Sequence, residues 1–164
     1  MRAFKHISRK ENADVAGVFP QAHDYEWEEV GSYTAYPVSL WDKWAHEITD
    51  NVDDLLWGVT KEEEARRERC TINLSKAIVS SFSIYKYNEH RKCFKGLASL
   101  EQLLEDIERQ QYLPGDIFIP EIRTIYREGH DYTAWFFMED GSALENVKNM
   151  VERSGLKFIG SQNT

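Results

Sequence analysis

Seven consecutive residues, Tyr132-Thr133-Ala134-Trp135-Phe136-Phe137-Met138, leave almost nothing for water to solvate. Aromatic and β-branched types dominate, so the run suits a pleated strand. Arg127-Glu128-Gly129-His130 before it and Glu139-Asp140-Gly141 after it are turn-forming. In a strand, Tyr132, Ala134, Phe136 and Met138 point one way, and Thr133, Trp135 and Phe137 the other. Both sets need burial, so the strand belongs inside a sheet with a layer on each face.

The flanking segments extend this reading. Ser142 with Glu145 forms a capping-box pattern that opens a helix with Leu144, Val147 and Val151 inward. Gly155 closes it, and Leu156-Lys157-Phe158-Ile159 reads as a short last strand. Upstream, residues 117–126 alternate as a strand containing Pro120, after a Pro114-Gly115 turn. Ser99 with Gln102 opens a helix whose apolar face is Leu100, Leu103, Leu104 and Ile107. Residues from about 72 to 87 fit either type, and a strand is expected from about 81 to 87. The order strand, helix, strand, strand, helix, strand predicts an α+β fold, with a ferredoxin-like βαββαβ unit over residues 77–164. Pro120 and Lys157 then fall on edge strands, where a missing donor or a charge is tolerated.

Residues 1–76 are expected to form a mostly helical part of the same single domain. The first forty carry little pattern: Tyr25-Glu26-Trp27-Glu28-Glu29-Val30 suits a short strand, and Pro37 is expected to block regular structure. Ser39 is placed to cap a helix in which Leu40, Trp41, Trp44, Ala45, Ile48, Val52, Leu55 and Leu56 make one apolar face, ending at Gly58. Thr60 with Glu63 opens a charged helix over 61–69, with Glu62–Arg66 and Glu63–Arg67 pairs. The 40–56 helix is the expected cover for the sheet face that a two-layer unit leaves bare, and a homodimer through that face is the alternative.

A chain of 164 residues can bury roughly 70% of its unfolded surface, enough to fold without disulfide or metal. With no apolar opening run and no long apolar window, a cytoplasmic protein is expected, with no membrane partner. Cys70 and Cys93 fit no metal spacing and are expected as free thiols. The net charge of −8 makes nucleic acid an unlikely partner and favours a basic protein.

Candidate chemistry is sparse. His46 and Asp50, one turn apart on the expected helix, supply only two metal ligands. His23-Asp24 and His130-Asp131 lack further ligands. His90 and Cys93 lack a third orienting group. No cofactor or metal is expected, and no residue is assigned a catalytic role. Two surfaces remain. Asp50, Asp53, Asp54, Glu62, Glu63 and Glu64, with Trp27 as an exposed aromatic, are candidates for binding a basic partner. Lys86, His90, Arg91, Lys92 and Lys95, interleaved with Tyr85, Tyr87 and Phe94, form one basic island suited to a phosphate-bearing ligand.

Leu97-Ala98-Ser99-Leu100-Glu101 and His130-Asp131-Tyr132-Thr133-Ala134-Trp135-Phe136-Phe137 resemble small bacterial proteins grouped with RraB, the regulator of ribonuclease activity B. The likeness spans about 97–159 and carries no functional residues. It implies a split βαβ fold and, as in the named case, inhibition of an enzyme by binding it. The expected function is a non-catalytic protein-binding modulator of inhibitor or immunity type. A small enzyme or ligand-binding domain built on the His90 island is the alternative.

Overall fold

A computed structural model describes residues 1–22, 33–113 and 115–160. The structure is an α+β protein built on one sheet of eight strands. In chain order these are β1 (Phe4–His6), β2 (Thr34–Ser39), β3 (Tyr85–Asn88), β4 (Cys93–Leu97), β5 (Ile117–Ile119), β6 (Thr124–Glu128), β7 (Ala134–Met138) and β8 (Lys157–Phe158). The helices are α1 (Arg9–Val18), α2 (Ala45–Ile48), α3 (Val52–Trp57), α4 (Lys61–Ser81), α5 (Leu100–Gln110) and α6 (Leu144–Arg153).

The sheet order is β1-β4-β3-β5-β6-β7-β2-β8, and every pairing is antiparallel. The pairings of a ferredoxin-like unit are therefore not those observed. That topology sets its first and third strands side by side and parallel, whereas β3 lies between β4 and β5, and β7 between β6 and β2. Residues 117–126 are not one strand. They form a tight hairpin in which Pro120 starts a 3-10 turn (Pro120–Ile122) and Arg123 closes it at φ 45°. The N-terminal part is likewise more than a helical embellishment, since it supplies β1 and β2.

β7 bears out the two-sided strand. Ala134, Phe136 and Met138 enter a core shared with Leu74 and Ile78 of α4, Leu103 and Ile107 of α5, and Val147 and Val151 of α6. Phe137 enters a second core on the other face with Val15, Phe19, Ala22, Phe94, Phe118 and Ile125. On that face lie α1, Phe19 and Ala22 rather than a 40–56 helix, and Trp44 reaches Trp135 there at 5.7 Å. Ser8 caps α1 by accepting from the Glu11 N–H at 3.1 Å. Asn12 Oδ1 accepts from the Phe94 N–H at 2.7 Å, and Tyr85 donates to Glu11 at 2.8 Å, which fixes α1 across β3 and β4. Gly96 lies close beneath this layer, where a Cβ would stand 2.7 Å from Ile7 Cγ2.

The expected long helix after Ser39 is absent. Ser39 ends β2, and the chain reaches Ala45 before turning helical, breaks at Thr49-Asp50-Asn51, and restarts with Asn51 capping α3. His46 and Asp50 thus do not share a helix. Pro37 does not interrupt β2 either. Its carbonyl accepts from the Ile159 N–H at 2.9 Å, so its donor-less nitrogen faces the short β8 edge, and the ladder to β7 is undisturbed. The α4 helix runs past residue 69 to Ser81, because Cys70, Leu74, Ser75 and Ile78 share a buried stripe with Arg67. Burial there outweighs the strand preference of its β-branched residues. Ser142 does not cap the last helix: Asp140 accepts from the Ser142 N–H to cap a 3-10 turn, Gly141–Ala143, that leads into α6. The expected 25–30 strand and the Pro114 half of its turn lie outside the described residues.

One seam in the sheet is thin. β3 and β5 pair only at Tyr85 and Phe118.

Candidate functional site

The acidic surface is organised by one buried cation. Thr60 caps α4 by accepting from the Glu63 N–H at 3.2 Å. One turn further, Arg67 is 7% exposed, and a guanidinium so placed must be satisfied by hydrogen bonds. Its Nε donates to Glu63 Oε1 at 3.0 Å and its Nη1 to the Leu55 carbonyl at 2.8 Å, near the end of α3. The guanidinium also lies 5.2 Å from the Trp41 ring centroid and 5.9 Å from that of Tyr132. Arg67 therefore ties α3, α4 and the entry to β7 together. Part of the charged 61–69 run is thus interior.

Trp57 stands on this base. Its ring is 5.6 Å from Tyr132, and it remains 53% exposed. Asp53 is four residues earlier on α3, so it shares Trp57's side of the helix. Asp54 is exposed in the same first turn. Glu64 and Glu68 of α4 are close enough to raise the Tyr132 phenol, after the larger effect of its burial. Gly58 permits the sharp exit, since a Cβ there would lie 2.7 Å from the Asp54 carbonyl oxygen. The result is an indole on a rigid aromatic base, with carboxylates around it.

Not every expected acid is available. Glu63 accepts from Arg66 at 2.7 and 2.8 Å as well as from Arg67, and these bonds hold its carboxyl down at about 2. It is an internal counter-ion. Asp50, Glu62 and Glu64 are exposed. Trp27 lies outside the described residues, and Trp57 is an exposed aromatic that reading the chain did not single out. Its position as the last residue of α3, just before Gly58, was the available signal.

The basic island forms the β3–β4 hairpin. Lys86 and Lys95 are register partners and share a face, and His6 of β1 is the next partner of Lys95. Arg91 joins the row through Nη1, 3.3 Å from His6 Nε2. His90 and Lys92 are exposed in the turn, and among the described residues no hydrogen bond joins His90 to Cys93. His6 was missed because strand pairing brings it there from 80 residues away in sequence. Among the described residues no three His, Cys, Asp or Glu side chains converge as a metal would require, and no helix is long and apolar enough to cross a membrane.

Comparison with known proteins returns no family model, no curated protein and no solved structure that matches this chain.

Proposed function

We propose that this chain is a cytoplasmic, non-catalytic modulator of inhibitor or immunity type, which binds a basic partner protein through Trp57 and its acidic rim. The observation that carries this reading is the half-exposed Trp57 ring held on Tyr132 above a buried Arg67. Tryptophan is enriched among residues that dominate binding energy, and rigid presentation lowers the ordering cost on binding. Asp53, Asp54 and Glu64 supply charge of the sign that steers a basic partner. The resemblance to RraB-grouped proteins agrees with this reading, and Tyr132, on which Trp57 rests, belongs to the segment that carries it.

The test begins with capture of partners from the native host by the wild-type chain and by Trp57→Ala. The association rate of the captured partner is then measured between 50 and about 300 mM salt. The reading expects Trp57→Ala to weaken binding by about 2 kcal/mol or more, mainly through faster dissociation. Asp53→Asn with Asp54→Asn is expected to flatten the salt dependence of association. Identical capture by Trp57→Ala and wild type would remove the proposal.

A further inference from the structure

We propose that the cavity between β1, β3 and α5 binds a small amphipathic organic anion, with its acidic head group at Lys86 and its apolar body on Phe4, Leu103 and Ile107. This site uses none of the residues of the Trp57 surface, and it stands or falls separately from the protein-binding reading. The cavity measures about 490 Å³, within the span of ordinary small-molecule pockets. Its floor is apolar: Leu103, Ile107 and Leu113 are buried, and Phe4 packs against them. Tyr112 stands at the wall, 49% exposed, where a ring of the ligand can stack.

The sign of the ligand follows from the cations. Lys86 has no hydrogen bond or ion pair among the described residues, and its close neighbour is the Phe4 ring, 5.4 Å from Nζ. Burial lowers its pKa, and Asp116, whose charge acts against that shift, is already clasped by Arg127 at 2.7 and 3.0 Å. Lys95 lies directly across the strand pair from Lys86, so two like charges face each other. Such pairs are unfavourable as they stand and are relieved by a bound anion. Arg2 and Arg109 also line the cavity against a single carboxylate, Asp106, which is engaged by Arg109 at 2.8 Å and Gln102 at 3.0 Å. The lining is thus net positive in a chain of charge −8.

Floor and charge together select a ligand with both an apolar body and an oxyanion head. Either a carboxylate or a phosphate satisfies the geometry. Four probes separate the terms by two-dimensional amide NMR titration: phenyl phosphate, phenylacetate, inorganic phosphate and benzyl alcohol. At least one aromatic anion is expected to move the amides of Phe4, Lys86, Leu103 and Tyr112 saturably. Inorganic phosphate and benzyl alcohol are expected to bind at least about tenfold more weakly. The tighter of the two aromatic anions identifies the head group. Lys86→Met is expected to weaken it about tenfold or more and to leave benzyl alcohol unchanged. Should Lys86→Met not fold, Arg2→Gln with Arg109→Gln is expected to weaken the same probe at least threefold. The proposal is overturned if inorganic phosphate binds as tightly as the aromatic anions. It is also overturned if the charge-removing variants bind unchanged, or if the shifts map away from the cavity.

Discussion

Replacing Arg67 by methionine tests whether one buried cation holds the Trp57 surface together. The substitution keeps an apolar stem of similar length and removes the guanidinium. Two good charge-assisted bonds disappear, to Leu55 O at 2.8 Å and Glu63 at 3.0 Å, with the contacts over Trp41 and Tyr132. Each such bond is worth about 1.5–3 kcal/mol and each ring contact about 0.5–2 kcal/mol, but they share one desolvation penalty and do not add. Glu63 is not stranded, because Arg66 still binds both of its oxygens. The Leu55 carbonyl does lose its side-chain donor. The net loss expected is therefore about 2–3 kcal/mol, below the 3–5 kcal/mol of an abandoned buried charge. For a chain of this size that lowers the melting temperature by about 5–10 °C. Urea unfolding measures it, and hydrogen exchange of α3 amides shows where the loss acts. Arg67→Lys is expected to recover less than half, because an ammonium cannot reach Glu63 and Leu55 O from one plane. A loss under about 0.5 kcal/mol for the methionine variant, or full recovery by lysine, would refute the argument.

Two further outcomes follow from other polar groups. Ser75 donates to Glu128 at 2.8 Å, so the fully buried Tyr126 hydroxyl, 3.0 Å away, must donate to Ser75. Tyr126→Phe is expected to cost about 1 kcal/mol by urea unfolding, because Ser75 keeps its acceptor. Ser75→Ala orphans the phenol, is expected to cost about 2–3 kcal/mol, and leaves a double variant less destabilised than the sum of the singles. The Glu128 carboxyl, already raised by burial, should rise further in Ser75→Ala. Acid titration of stability should show a separate loss. Glu63 and Glu108 are held down to about 2 by hydrogen bonds, Glu63 from Arg66 and Arg67, Glu108 from Arg69 and Lys76. Lowered folded values mean that this stability is full above pH 4.5 and disappears as pH falls from about 4.5 to 2. Glu128 has the opposite sign, gaining stability as pH falls through its raised value. Glu63→Gln with Glu108→Gln should flatten the acid loss, as followed by circular dichroism.

Signals confined to a few residues were legible. The β7 run gave its own strand type and two-sided burial, and Thr60 and Ser99 cap their helices where the chain pattern placed them. Long-range pairing was not. Residues 40–56 satisfied a helical period, yet those apolar positions are divided between a loop and two short helices that begin after β2 has ended at Ser39. The α1 helix went unread, because only Val15 of it is buried and its apolar face left a faint trace. Pro120 was compatible with an edge strand and with a turn, and only pairing of Ile117 with Tyr126 decides between them. The acidic helices were recognisable by composition, but which acid is already spent on arginine depends on side-chain geometry. The row His6, Lys95 and Lys86 exists only because three strands align.

The thin seam between β3 and β5 makes temperature a structural variable. Backbone ladders run unbroken on either side of it, while Phe94 of β4 and Phe118 of β5 meet at 5.2 Å, with Phe19 5.1 Å from Phe118. Contacts between rings are sustained largely by the apolar term, which weakens on cooling. The sheet is consequently two hydrogen-bonded ribbons riveted by side chains, and cold slackens the rivets before it touches the ribbons.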